Sequence, residues 1–404
     1  MRRPGAGTGE AYVARPGGTV AAVVDAALPD GVDGWCDRRF VAVGQAVARQ
    51  LAAGVHNGVA VSVRHRGRPV VDIWGGGFRE DTLTVSFSTT KGPVALALHM
   101  ALERAGIGYD TPVAAVWPEF AQAGKAAVTI RQALCHEAGI PQIRDEVADV
   151  SAMADWNAMV ATVEALPPLW NPGTANGYHA LTWGWLAGEL LRRVDGRPPA
   201  QFLAEEVAGP LGLDGCFLGT PTTEAHRLAP VAWNPIYLDM PPLEQLLPAD
   251  SLTLRAVAPA GDMVAFVNSE AGWSASIPAI TGAFTARSLA AIYAAMEQGG
   301  TLGGARLLAP DTVDAATTVQ NDRPDLVLFV PMYWRLGFMG LGPAGTAGTS
   351  AVYGHAGLGG SVALADPRAG LAIAVTLDRL ELDLLGDDRA GAILRSAAAA
   401  VEAL

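Results

Sequence analysis

Ser86-Phe87-Ser88-Thr89-Thr90-Lys91-Gly92 stands between a β-rich segment and an apolar helical run, Pro93 to Arg104. A hydroxyl and an amine three residues apart at the start of a helix share one face, about a turn apart. That puts Ser88 Oγ near Lys91 Nζ, where the helix N-terminus favours developing negative charge. A serine alkoxide is out of reach at neutral pH without help. A lysine kept neutral by partial burial is a base that supplies it. The pattern is weak by itself, since Ser88 serves equally well as a helix cap and Lys91 as a solvated first-turn residue.

Working outward, Val59 to Arg64 alternates, turns at Arg66-Gly67-Arg68-Pro69 and continues as Val70 to Trp74, closed by Gly75-Gly76-Gly77. This predicts a hairpin. Phe40 to Leu51 has helical spacing, and the Gly/Pro/Ala-rich residues 1–34 leave room for one short helix near Val20–Ala27. Leu83 to Phe87 is a short extended approach to Ser88. Beyond Lys91 the texture is helical: Pro93–Arg104 before Gly106, Thr129–His136 with a threonine cap, Ser151–Leu166, about Tyr178–Val194, and Pro199–Val207. Residues 219–284 have poor periodicity and carry Trp233, Tyr237 and Trp273, as lids and pocket walls often do. Helices return at Ala286–Gln298, Pro310–Val319 and Asp388–Ala403. Strands are predicted at Trp334–Phe338, Gly360–Ala365 and Leu371–Leu377, the last two joined by the turn Asp366-Pro367-Arg368-Ala369-Gly370. Gly340–Ser350 reads as a loop, and Glu381, Asp383, Asp387 and Asp388 as a solvated one. Strands at both ends with helices between predict an α/β (α+β) fold. An antiparallel sheet flanked by helices is built from residues 1–87 and 285–404, and a mostly helical domain, 88–284, is inserted into it.

Half of the 404 residues are hydrophobic and the formal net charge is −12, which argues against nucleic-acid and anionic-membrane partners. No run is apolar enough for a signal peptide or a membrane span. The three scattered cysteines, Cys36, Cys135 and Cys216, fit reduced thiols in a cytoplasm, and none has metal-ligand spacing. No metal or other cofactor is expected. A cleft between the two lobes is the default ligand site. Three stretches are expected to line it: Ser88 to Lys91, Asn176-Gly177-Tyr178-His179-Ala180, and Gly354-His355-Ala356-Gly357-Leu358-Gly359-Gly360.

These three stretches, in this order, resemble the Ser-x-x-Lys, middle-Tyr and late Lys-Thr-Gly-type motifs of the serine β-lactamase and penicillin-binding-protein superfamily. Thr129 to Gly139 and Trp170-Asn171-Pro172-Gly173 add to the likeness, which runs from about residue 40 to 400. More narrowly the chain resembles the class C β-lactamase-like esterases, the family VIII carboxylesterases. The resemblance implies Ser88 as nucleophile, Lys91 as the amine that activates it, and Tyr178 as a second base and acid, acting as a phenolate near a charged Lys91. It also implies an oxyanion hole from the backbone N–H groups of Ser88 and Leu358. His355, Gly357, His179, Trp233 and Trp273 would bind substrate or support the site. Two departures matter. Tyr178-His179-Ala180 lacks the asparagine of the β-lactamase branch, and His355 replaces a lysine that binds a substrate carboxylate. Both point to a small neutral ester, split through an acyl-enzyme on Ser88, rather than a β-lactam or peptidoglycan peptide. Acyl transfer to an alcohol or amine is the second expectation. No Gly-x-Ser-x-Gly elbow occurs.

Overall fold

The computed structural model describes residues 25–257, 259–341, 351–382 and 388–403. From the N-terminal side come β1 (Val32–Cys36), α1 (Val41–Ala52), β2 (Gly58–His65), β3 (Arg68–Gly76), β4 (Thr84–Val85) and α2 (Lys91–Ala105). The middle supplies α3 (Ile130–Leu134), α4 (Trp156–Ala165), α5 (Thr182–Asp195), β5 (Cys216–Leu218), β6 (Ala232–Trp233) and β7 (Gly282–Phe284). After the helix Ala286–Glu297 and the small hairpin β8 (Thr301–Leu302) and β9 (Ala305–Arg306) come the later strands. These are β10 (Met339–Gly340), β11 (Tyr353–Ala356), β12 (Val362–Asp366), β13 (Leu371–Leu377) and β14 (Arg379–Leu380), before the helix Asp388–Glu402.

The main sheet has seven antiparallel strands in the order β1-β3-β2-β13-β12-β11-β10, so strands from both ends of the chain meet where β2 pairs with β13. All seven residues of β13 are buried. Successive side chains point to opposite faces, so the sheet is covered on both sides there. The helix Ala286–Glu297 lies along β13, β2 and β12, and α1 packs with Asp388–Glu402. The β2–β3 hairpin turns through Arg66 (φ 51°) and Gly67 (φ 74°), the two positive angles of a tight two-residue turn. A second, three-stranded sheet, β4-β7-β5, carries the chain into the Ser88 turn. Helix α2 is buried on every side from Lys91 to Leu102 and ends on left-handed Gly106, so the lysine opens a core helix rather than a surface one.

Several expectations are corrected. β1 was not expected; its glycine and polar residues hide an edge strand that pairs with β3. The short helix near 20–27 lies outside the described residues up to 24, and Asp25 bridges extended to Asp37. Trp334–Phe338 is not a strand. Arg335 N–H closes a turn on Phe338 C=O through left-handed Gly337, whose Cα packs against Ala95, and pairing starts only at Met339. The helix expected from Ser151 breaks at Asp155, whose carboxylate caps Ala158 N–H. The helix expected from Tyr178 begins at Thr182, leaving Tyr178 in a loop. Most of the loop 340–350 and the acidic residues 383 and 387 fall outside the described residues.

Gly92 sits against the Tyr293 phenol, where a Cβ would collide with Oη. Tyr293 Oη has no hydrogen-bond partner among the described residues. Gly92→Ala should therefore destabilise by roughly 1–3 kcal/mol. Adding Tyr293→Phe should recover part of that loss, read as a denaturation midpoint that is higher in the double variant than in Gly92→Ala.

Candidate active site

Ser88 lies in a 3₁₀ turn, Phe87–Thr90, that runs directly into α2. Phe87 is buried at φ 45°, a left-handed angle that costs a non-glycine residue on the order of 1 kcal/mol or more. The surrounding bonds hold it there. Ser86 N–H donates to Gly282 C=O (2.8 Å), Ser86 Oγ donates to Thr84 C=O (3.0 Å), and Ser361 Oγ donates to Ser86 C=O (3.0 Å). Phe87, Thr89 and Thr90 are buried, whereas Ser88 is partly exposed and open to a ligand.

Lys91 is wholly buried. Its Nζ lies 3.0 Å from Ser88 Oγ, 3.1 Å from Tyr178 Oη, 2.8 Å from Ala180 C=O and 3.3 Å from Ala279 C=O. Burial holds the ammonium well below the usual lysine range. A neutral amine has two N–H donors and one lone pair. The two carbonyls take the donors, and the lone pair is left for the Ser88 hydroxyl, whose oxygen in turn accepts the Tyr178 phenol proton. The Tyr178 phenol reaches Ser88 Oγ at 2.7 Å, and burial pushes its ionisation up. Burial thus favours amine and phenol over the ammonium and phenolate that the family resemblance implies. Both charges are disfavoured for the same reason, removal from water.

The Tyr178 loop is fixed by two histidines. His179 Nδ1–H donates to Gly177 C=O (2.6 Å), and its Nε2 accepts from Ile140 N–H (3.0 Å). With both ring nitrogens committed to backbone and its ionisation pushed down to about 4 by burial, His179 supports Tyr178 and does not face a substrate. His136 Nδ1 accepts from His179 N–H (3.1 Å), and its ring stands edge-on to Tyr178 at 5.1 Å. Trp334 stacks on the phenol at 5.3 Å and 15°.

The late stretch is part of a strand rather than a prelude to one: His355 is on β11, with Nδ1 bonded to Ala356 C=O (2.8 Å). Burial and the nearby Lys91 push its ionisation down to about 3, so the imidazole is neutral. Its ring lies 6.2 Å from that of Tyr178. Gly357 has no room for a side chain, since a Cβ would collide with Ser361 Oγ and Ser86 C=O. Thr89 Oγ1 meets Ser361 Oγ at 3.1 Å, and the late turn is thereby clamped onto the Ser88 turn. Among the described residues, the N–H groups of Ser88 and Leu358 donate to no protein acceptor. Both residues are partly exposed.

The two tryptophans fare differently. Trp233 on β6 pairs with Leu380 of β14, which packs against Gly359, so it stands one strand away from the late turn. Trp273 is on the helix Glu270–Ser274, its carbonyl bonded to Thr220 N–H (2.7 Å). No hydrogen bond or ring contact among the described residues joins it to Ser88, Lys91 or Tyr178. The sequence reading missed Asp325 and Trp334, which brace Tyr178, and the carbonyls that orient Lys91. Asp325, Trp334 and Ala279 stand in no recognisable motif, whereas Ala180 closes the middle stretch. No group of three His, Cys, Asp or Glu among the described residues could hold a metal ion. No helix among them is long and apolar enough to cross a membrane.

Comparison with known proteins finds relatives over most of the chain. Residues 43–398 match the family model described as Beta-lactamase. The chain is 35% identical over 378 residues to Esterase/beta-lactamase LipL of Mycobacterium tuberculosis, covering 89% of this chain and 86% of that protein. A penicillin-binding-protein homolog from Caulobacter crescentus superposes with a TM-score of 0.82 at 37% identity, over 91% of this chain and 99% of that one. A family VIII carboxylesterase superposes with a TM-score of 0.83 at 33% identity, over the same shares of the two chains. A family match over most of its length, on a sheet assembled from both chain ends, means that this chain belongs to the beta-lactamase family.

Proposed function

We propose that this protein is a carboxylesterase that cleaves short-chain, uncharged esters through an acyl-enzyme on Ser88. The observation that carries the reading is the triangle of Ser88 Oγ, Lys91 Nζ and Tyr178 Oη, with sides of 2.7, 3.0 and 3.1 Å. The Ser88 proton passes to the Lys91 amine as Oγ attacks the ester carbonyl. The oxyanion is received by the N–H groups of Ser88 and Leu358, each such donor contributing roughly 3 kcal/mol. The leaving alkoxide takes the phenol proton of Tyr178, which the Lys91 ammonium replaces across 3.1 Å. Water then attacks the acyl-serine by the same steps in reverse, releasing acid and restoring the hydroxyl.

The neutral substrate follows from the charges. His355 is neutral and Lys91 rests as an amine, so neither offers a fixed positive charge to a substrate carboxylate. The reading includes two lobes, 1–87 with 285–404 and 88–284, meeting at Ser88. It also includes a reducing cytoplasm, supported by three buried free thiols, Cys36, Cys135 and Cys216.

Ser88→Ala assayed on p-nitrophenyl acetate and butyrate should lose activity by about 10⁴-fold or more, and retained turnover would remove Ser88 as nucleophile. Tyr178→Phe should lower kcat by roughly 10²–10⁴ with folding intact. Because the base must be unprotonated, kcat/KM should fall as pH drops through the Lys91 ionisation, with its midpoint well below the ordinary lysine value of 10.5. His355→Gln should leave that midpoint in place, because the imidazole is already neutral throughout. Nitrocefin turnover matching ester turnover would instead favour a β-lactamase.

A further inference from the structure

One carboxylate behind the site is not accounted for by the reaction. Asp325 is buried, at 1% exposure, in a turn between Pro324 and Val330. It accepts five N–H bonds. Oδ1 takes those of Tyr178 (2.9 Å), Val327 (2.9 Å) and Leu328 (3.0 Å), while Oδ2 takes Trp334 Nε1 (2.9 Å) and Asn176 Nδ2 (3.2 Å). Leu326 N–H returns a bond to Asn176 C=O at 2.9 Å. No Lys, Arg or His among the described residues forms an ion pair with it. The donors come from three places: its own turn, the loop that carries Tyr178, and the indole on which the phenol lies.

A buried carboxylate without a cation is a costly way to hold a loop, since an apolar residue or a neutral amide would avoid the desolvation. Its position gives it a second effect. It is fixed to the backbone N–H of the residue whose phenol touches both Ser88 and Lys91, and to the indole that stacks on that phenol, so its charge adds to the burial that keeps the phenol protonated. We propose that Asp325 is a positioning residue for the reaction at Ser88. It locks the Tyr178 phenol onto Ser88 and Lys91 through residues 176–178 and Trp334, and its negative charge retains the proton that Tyr178 must deliver to the leaving alcohol. This rests on the ester-hydrolase reading and adds to it.

The titratable groups that face the phenol are Lys91 on α2, His136 after α3, His355 on β11 and Asp325 itself. Burial holds both histidines neutral. Asp325 is therefore the carboxylate in this set, and it favours the protonated form of Tyr178. Removing the charge makes the phenol lose its proton more readily.

The test is Asp325→Asn, purified and checked for folding, on p-nitrophenyl butyrate across a pH series. The variant keeps an acceptor for the backbone donors but turns an NH₂ toward Trp334 and Asn176 and removes the charge. The expected result is a kcat lower by roughly 100-fold, KM changed far less, and a pH profile displaced to lower pH. Trp334→Phe keeps the charge and removes one donor. It should lower kcat by about ten-fold with the profile unmoved, and it decides the matter if Asp325→Asn does not fold. A folded Asp325→Asn enzyme with wild-type kcat or an undisplaced profile overturns the proposal, as does wild-type kcat in Trp334→Phe. Ser88→Ala separates this from the underlying reading. If Ser88→Ala is dead and Asp325→Asn is normal, only the role of Asp325 falls; if Ser88→Ala is active, the reading falls with it.

Discussion

Lys91 Nζ is wholly buried among two carbonyl oxygens and two hydroxyls, and no carboxylate among the described residues pairs with it. Desolvation of an ammonium without an anion is expensive, and the protein avoids the cost by leaving the amine uncharged. The rest of the site can be derived from that condition. The amine must be enclosed, so its helix must be a core helix, and α2 is buried from its first residue onward. Its two N–H groups must be satisfied, so the chain brings Ala180 C=O and Ala279 C=O to it from distant points in the sequence. What is left is one lone pair with one direction, and Ser88 stands in it.

The same enclosure explains why so much of the molecule is spent on clamping turns. A base of fixed direction is useful only if the nucleophile cannot drift, and misplacement by about 1 Å costs on the order of 100-fold in rate. Phe87 is accordingly held at a left-handed angle between β4 and α2. Ser361, Thr89 and Ser86 tie the late turn to the Ser88 turn, and Gly357 lets the two backbones approach where a methyl group would part them. The sheet supplies the rigid frame. β11 is joined through β12 and β13 to β2, so the late turn is anchored to strands that precede Ser88 in the chain.

Much of this was legible in the sequence, for definite reasons. Strict alternation gave the β2–β3 hairpin, an unbroken apolar run gave β13, and left-handed Gly106 ended α2 where expected. Ser88, Lys91 and Tyr178 were recognisable because motif order survives without any knowledge of contacts. Other features were not legible. β1 carries Asp33 and Gly34 on an edge strand, where only one side is paired and the apolar pattern thins. Tyr178 reads as the start of a helix because helical periodicity continues through it, yet the loop's polar groups are taken by His136, Asp325 and Lys91 from elsewhere. His179, whose direction adjacency to Tyr178 leaves open, is turned to backbone. Long-range hydrogen bonds leave no periodic trace, and the bracing of Tyr178 consists almost wholly of them.

In the proposed reaction, charge at Ser88 and Lys91 is created during turnover rather than stored. When the serine proton moves to Lys91, an ammonium and an oxyanion appear together, a few bond lengths apart, in surroundings where each alone would be strongly disfavoured. Attraction between them is largest at that moment, and the amides of Ser88 and Leu358 meet the oxygen without having to reorient. A substrate that arrives with its own carboxylate spoils this arrangement. It meets an imidazole and an amine that burial holds toward their neutral forms, and it loses its hydration with no fixed cation in return. On the proposed reading, a preference for uncharged esters follows from how the base is kept neutral, and a single surface lysine placed near the cleft would not reverse it, since the penalty lies in the buried groups themselves.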